Sequence, residues 1–161
     1  MSHRTLRSSF LLLLLVFAGC SGGGGDEAPV AAATIAPDGG AFEITAGKLA
    51  GVRVEIPAGA VLQPVRVTAA EARPSAHPGF RSISRAVHLR PDTAFLLPVL
   101  VTLPFPAAAL SSNETVILQR SPTGAIVELA PDIVDPAGLA TFAVRSLSTV
   151  WVAERLFLGV A

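Results

Sequence analysis

From Thr34 onward the chain is cut again and again by proline- and glycine-bearing turns. No stretch between the cuts carries the 3.6-residue apolar period of a helix. The cuts fall at Pro37-Asp38-Gly39-Gly40, Pro57-Ala58-Gly59, residues 74–79, Pro91-Asp92, Pro104-Phe105-Pro106, Ser121-Pro122-Thr123-Gly124 and Pro136-Ala137-Gly138. The clearest segment is Gly51-Val52-Arg53-Val54-Glu55-Ile56-Pro57-Ala58-Gly59-Ala60. Val52, Val54 and Ile56 alternate with Arg53 and Glu55, the period of a half-buried strand. Pro57 has no N–H to extend a ladder, and Gly59 permits a backbone conformation that a Cβ resists.

The same reading along the chain predicts strands over residues 41–45, 48–56, 65–71, 84–90, 99–103, 116–120, 125–129, 139–145 and 149–153. Residues 107–110 are long enough for one helical turn. About eight or nine short strands with such turns predict an all-β fold, an antiparallel β-sandwich. Its core face is Val52, Val54, Ile56, Val65, Val67, Val87, Leu89, Val99, Val101, Leu103, Phe142, Val144, Val150 and Val152. Trp151 falls on the opposite face, where it is expected to cover a sheet edge or loop base, with a surface ligand platform as the alternative.

The N-terminus is of another kind. His3, Arg4 and Arg7 precede an unbroken apolar run from Phe10 to Ala18. A membrane span needs roughly 20 apolar residues, so the run has the length of a signal-peptide core. It ends Phe17-Ala18-Gly19-Cys20, which resembles the lipobox of bacterial lipoproteins, although Phe17 stands where that motif usually has Leu. The resemblance implies that Cys20 is acylated (palmitate or a similar chain) and becomes the first mature residue. Ser21 after it resembles an outer-membrane sorting signal, if the host has two membranes. Cys20 is the only cysteine, so no disulfide within the chain can form.

The division that follows is a lipoprotein signal peptide at 1–19, a lipidated cysteine and Gly/Ala/Pro-rich tether at 20–33, and a domain at 34–161. A tether of that composition spans about 20 Å as a random coil. The chain from Cys20 on carries ten Lys and Arg against twelve Asp and Glu, a formal charge of −2. Its arginines are scattered, so nothing suggests nucleic acid. Residues 156–161 are apolar and are expected to add an edge strand or to pack onto the domain.

Three segments together resemble ZU5 domains. They are Gly51 to Ala60; Val87-His88-Leu89-Arg90-Pro91 with Phe95 and the Pro98-to-Pro104 strand; and Phe142 through Leu147-Ser148 to Trp151-Val152. The likeness covers roughly Ala36 to Glu154. It implies a β-sandwich used for protein interaction or scaffolding. Some ZU5 members cleave themselves at a His-Phe-Ser sequence. The matching positions here are Ser146, Leu147 and Ser148, so the nucleophile is kept and the imidazole is missing.

Other chemistry has little to stand on. His77 sits in a turn and His88 on the polar side of its strand, both expected as solvated surface groups, and no Gly-x-Ser-x-Gly elbow accompanies them. Zinc would want closely spaced His and Cys. Asp132 and Asp135 could serve a calcium loop, but Asp beside Pro is ordinary turn chemistry. The four-glycine run at 22–25 lacks a following Lys-Ser, so no nucleotide loop is present and no cofactor is implied. Arg81, Arg85 and Arg90 are near one another in sequence and are expected on a solvated sheet face. Asn113-Glu114-Thr115 marks an exposed loop.

The expected function is therefore a lipid-anchored cell-envelope binding or scaffold module with a protein or surface-polymer partner and no catalysis. The alternatives are a self-cleaving or small hydrolytic domain using Ser148, and a passive structural subunit of an envelope complex.

Overall fold

The alternation seen in the sequence becomes sheet throughout. The computed structural model describes residues 29–111 and 113–156, and among these it contains twelve strands, one 3-10 turn at Ala107–Ala109 and no α-helix. The strands are β1 (Ala31–Ile35), β2 (Gly40–Glu43), β3 (Arg53–Ile56), β4 (Val65–Ala72), β5 (Phe80–Ser82) and β6 (Ala86–Arg90). They continue with β7 (Ala94–Pro104), β8 (Thr115–Arg120), β9 (Ile126–Leu129), β10 (Ile133–Asp135), β11 (Leu139–Ser146) and β12 (Thr149–Arg155). A seven-stranded sheet runs β1-β4-β6-β12-β8-β9 with β5 also on β12, and a five-stranded sheet runs β10-β11-β7-β3-β2. All pairings are antiparallel.

The two sheets close on one core as a β-sandwich. In the five-stranded sheet Phe42, Val54, Val101 and Phe142 are direct cross-strand neighbours and form one transverse row. Val54, Val101 and Phe142 are completely buried. Val67, Leu89, Ile117 and Val152 of the other sheet belong to the same cluster. Every predicted core residue is buried except Val65, which is half-buried on the cluster's margin. At one end, Gly59 adopts φ +80° in the turn after β3, and its N–H donates to the Pro37 carbonyl at 2.8 Å. Gly39 faces the same turn so closely that a Cβ would lie 2.7 Å from the Ile56 oxygen.

The differences from expectation have local causes. The strand expected over 48–56 begins only at Arg53, because Leu49 and Val52 are both buried three residues apart in a turn, with Val52 N–H donating to Leu49 O at 3.1 Å. The strand expected over 99–103 extends back to Ala94 through a wide bulge: Ala94 pairs Ser146 and Val99 pairs Val144, so four residues of β7 stand opposite Arg145 alone. Pro98 sits in that bulge, where its missing N–H leaves no ladder bond unmade. Leu96 and Leu97 are thereby turned out to solvent. Three strands were not anticipated: β1, β5 and β10. Of these, β1 takes Ala31 to Ala33 from the expected tether and pairs them with Ala69 to Val67. Of the apolar C-terminal residues only Leu156 is described; its N–H bonds Gly79 O at 2.8 Å.

Trp151 lies opposite the main core, as expected, but on a central strand rather than at a sheet edge. It is wholly buried on the outer face of the seven-stranded sheet, in a second small core with Ala86, Val116, Leu118 and Ala153, onto which Phe80 and Ile126 pack. The chain between β4 and β5 crosses this face: Arg120 Nη1 of β8 donates to Ser75 Oγ at 3.0 Å, and His77 stacks on Phe80 with ring centroids 5.2 Å apart. A covered ring is no ligand platform. Its Nε1 has no hydrogen-bond partner among the described residues.

Two outcomes are expected. Phe142→Ala removes the largest completely buried member of the transverse row and lowers unfolding stability by about 3–5 kcal/mol in urea titration. Trp151, the only tryptophan in a chain without tyrosine, emits at short wavelength and resists acrylamide quenching until the fold is lost.

Candidate functional site

The sheets diverge at the end where β4 and β7 finish, and an open cleft of about 680 Å³ lies between them. Its walls come from four places: residues 48–50 before β3, 71–74 at the end of β4, 83–85 before β6, and 103–106 at the end of β7. Each wall follows from a local feature. The Leu49–Val52 turn keeps the first short of the sheet. Pro74 stops β4. Pro104-Phe105-Pro106 stops β7, and Phe105 is 6% exposed. At residues 83–85 a bulge intervenes, because Ile83 and Ser84 N–H both donate to Val152 O while Ser84 Oγ accepts from Val152 N–H at 2.8 Å. That serine lets β5 and β6 share one edge of β12.

Leu49, Val52, Ile83, Leu103 and Phe105 give the cleft an apolar floor. Around it stand Lys48, Arg73 and Arg85 with a single carboxylate, Glu71. Lys48 Nζ lies 3.2 Å from Glu71 Oε2, and Arg85 Nη1 lies 2.6 Å from Oε1. Desolvation pushes the Glu71 carboxyl up, and the hydrogen bonds and charges of Lys48 and Arg85 outweigh it, so it titrates below its ordinary value. With three cations around one anion, the cleft presents a concave surface of net positive charge over an apolar base. Such a surface suits a ligand that is anionic at one end and apolar at the other.

The residues singled out in the sequence fall elsewhere, apart from Arg85. Ser148 is 3% exposed, and its Oγ accepts from Gln119 Nε2 at 2.8 Å. The same Nε2 reaches Ser146 O at 3.1 Å. His88 bonds the neighbouring hydroxyl instead: Nδ1 lies 2.9 Å from Thr149 Oγ1. Arg90 Nε donates to His88 Nε2 at 2.8 Å, so Nδ1 carries the ring proton and donates to Thr149. Among the described residues no imidazole addresses Ser148. Arg81, Arg85 and Arg90 do not form one patch: Arg85 bonds Glu71, Arg90 bonds His88, and Arg81 turns to Glu154. Asp135 Oδ1 accepts from Ala137 N–H at 2.7 Å, as turn chemistry requires. Among the described residues no cluster of three His, Cys, Asp or Glu side chains is arranged to hold a metal. Cys20 lies outside the described residues.

Glu154 was not anticipated. It is completely buried on β12, facing Arg81 of β5. Arg81 donates to Oε2 through Nε at 3.1 Å and through Nη2, and the Ser111 N–H donates to Oε1 at 3.1 Å. Burial pushes this carboxyl up; the bonds from Arg81 and Ser111 and the Arg81 charge more than offset it, leaving it below the ordinary value. Its position after Val150 and Val152 on the inward period was the available signal, since a charge on that face must find a partner.

Compared with known proteins, the chain matches no family model and no curated sequence.

The lowered Glu154 pKa fixes the sign of a pH effect. A carboxyl held lower in the folded state contributes stability above its unfolded value, near 4.5, and loses that contribution as pH falls through the folded value. Urea midpoints of the wild type therefore decline below pH about 4.5, and Glu154→Gln, less stable at neutral pH, shows a shallower decline. An equally steep acid limb in the variant would remove Glu154 from the account.

Proposed function

We propose that this protein is a non-catalytic binding module of the cell envelope, held to a membrane through an acylated Cys20 and receiving its partner in the cleft at the end of the sandwich. The observation that carries this reading is the cleft itself, an open hollow with an apolar floor and three cations around one carboxylate. The basic n-region, short apolar run and lipobox-like end support the anchor. ZU5-like scaffolding is the family reading we favour, on the strength of the three resembling segments and the sandwich. Hydrolysis by Ser148 is the weaker alternative, because Gln119 already occupies the hydroxyl and the nearest described histidine bond goes to Thr149.

A second reading, as a structural subunit of an envelope assembly, draws on one observation. Leu62, Leu96, Leu97 and Leu100 are exposed, with Leu96 and Leu97 in the β7 bulge. Such a surface suits a permanent neighbour. Co-purification at fixed stoichiometry that survives substitution of the cleft, and is lost on Leu96→Ser with Leu97→Ser, would favour it.

The intact mass of the protein extracted from its native membranes tests the anchor. The expected mass is that of residues 20–161 plus acyl chains; a fragment beginning at Ser148 would reinstate self-cleavage, and an unmodified chain would remove the anchor. Binding studies need the chain from residue 20 onward, because truncation to Thr34 would cut Ala31 to Ala33 out of β1.

A further inference from the structure

The cleft and the entry of the chain into the fold lie at the same end of the sandwich. β1 runs antiparallel to β4 with Ala31 opposite Ala69, and the Val30 N–H donates to Ala69 O at 2.8 Å. Three residues further along β4 is Ala72, and Arg73 then stands on the cleft wall. The turns at Gly39 and Gly59 are at the opposite end, about 25 Å away along an eight-residue strand. Nine residues separate Cys20 from Val30, and a glycine-rich segment of that length spans about 17 Å as a random coil. An anchor on Cys20 thus holds the cationic end of the domain toward the bilayer and the glycine turns away from it.

We propose that the cleft binds the phosphate headgroup of an anionic membrane lipid, with Lys48 and Arg73 on the phosphate and the apolar floor beneath the adjoining carbon chain. Arg73 has no protein ion pair among the described residues, whereas Arg85 is committed to Glu71 at 2.6 Å. The pairing of Lys48 with Glu71 is longer, at 3.2 Å, and its side chain is 67% exposed, so its ammonium can turn to a second anion. Charge complementarity selects an anionic headgroup over a neutral one, and the floor selects an amphiphile over a bare ion. The inference rests on the anchored binding module proposed above and names what its cleft takes.

The test separates the cleft from the anchor. The chain from residue 20 onward carrying Cys20→Ser, which cannot be acylated, is mixed with vesicles of phosphatidylglycerol and phosphatidylcholine, and with vesicles of phosphatidylcholine alone, and sedimented. Binding to the anionic vesicles only is expected, falling about fivefold for Lys48→Ala or Arg73→Ala and more than about tenfold for both together. Arg66→Ala removes an exposed cation of β4 outside the cleft and should leave binding nearly unchanged; Trp151 emission confirms that each variant is folded. Four results overturn the proposal. One is no binding to anionic vesicles, and another is an equal loss from Arg66→Ala. A third is calorimetric binding of inorganic phosphate as tight as that of the vesicles, which would assign the cleft to a free ion. The fourth is binding that appears only after Asp26→Asn and Glu27→Gln, which would make the chain's own acidic segment the occupant. If the native protein is acylated and the Cys20→Ser chain ignores anionic vesicles, the anchor stands and the headgroup falls. If the native protein carries no acyl chain, the anchor falls and the vesicle result still decides the cleft.

Discussion

The contact on which everything else depends is the closure of one sheet's apolar rows on the other's. Val54, Val101 and Phe142 stand side by side across three strands, and the inward residues of β4, β6, β8 and β12 complete the same cluster. Sheets that pack face to face leave about 10 Å between their backbones for side chains. Twist carries the sheets apart at their ends, where turns must fill the gap. At the Gly39 end two glycine turns press together and fill it. At the other end Pro104 and Pro106 end β7, Pro74 stops β4, and the gap stays open as the cleft. The site is therefore a consequence of which turns end the strands.

Period and punctuation made the sandwich legible, since alternation of Val and Ile with charged residues has one reading once a proline closes it. The core face was legible for the same reason. The missed strands share a physical cause. β1 is three alanines and a threonine before Ile35, with no clear alternation of polarity, β5 has three residues, and β10 has three. β1 and β5 exist because a strand distant in sequence supplies a partner edge, whereas β10 pairs with β11, the next strand along the chain. The Leu49–Val52 turn shows the opposite error: an apolar spacing of three was absorbed into a strand of period two.

Trp151 and Glu154 show how far the inward–outward rule reaches. Trp151 lies on the outward period and is still buried, because the chain between β4 and β5 folds over that face and gives the sheet a second small core. Glu154 lies on the inward period and is still charged, because β5 brings Arg81 and the chain after the 3-10 turn brings the Ser111 N–H. Both depend on long-range arrivals that no local window contains. An unpaired carboxylate at that depth would cost several kcal/mol, so Arg81 and the Ser111 segment are tied to β12 by desolvation as much as by attraction.

The cleft was the least legible feature, and the reason bears on how it works. Lys48, Glu71, Arg73 and Arg85 belong to separate turns and strand ends; in the sequence Arg85 was expected with Arg81 and Arg90 on a solvated sheet face. The fold sends those three arginines to three different partners and brings Arg85 instead to a glutamate fourteen residues earlier. Glu71 in turn gathers Lys48 more loosely, at 3.2 Å against 2.6 Å, so one carboxylate holds Arg85 in place while neutralising only one of its two cations. The residual positive charge is thereby fixed in position before any ligand arrives, and little ordering cost remains for the Arg85 side chain. Arg73, beside this pair and without an ion pair of its own among the described residues, is the group whose ordering a ligand must supply. The balance between a preset charge and a free one places the burden of affinity on Arg73 and Lys48 rather than on Arg85, even though Arg85 makes the shortest contact in the cleft.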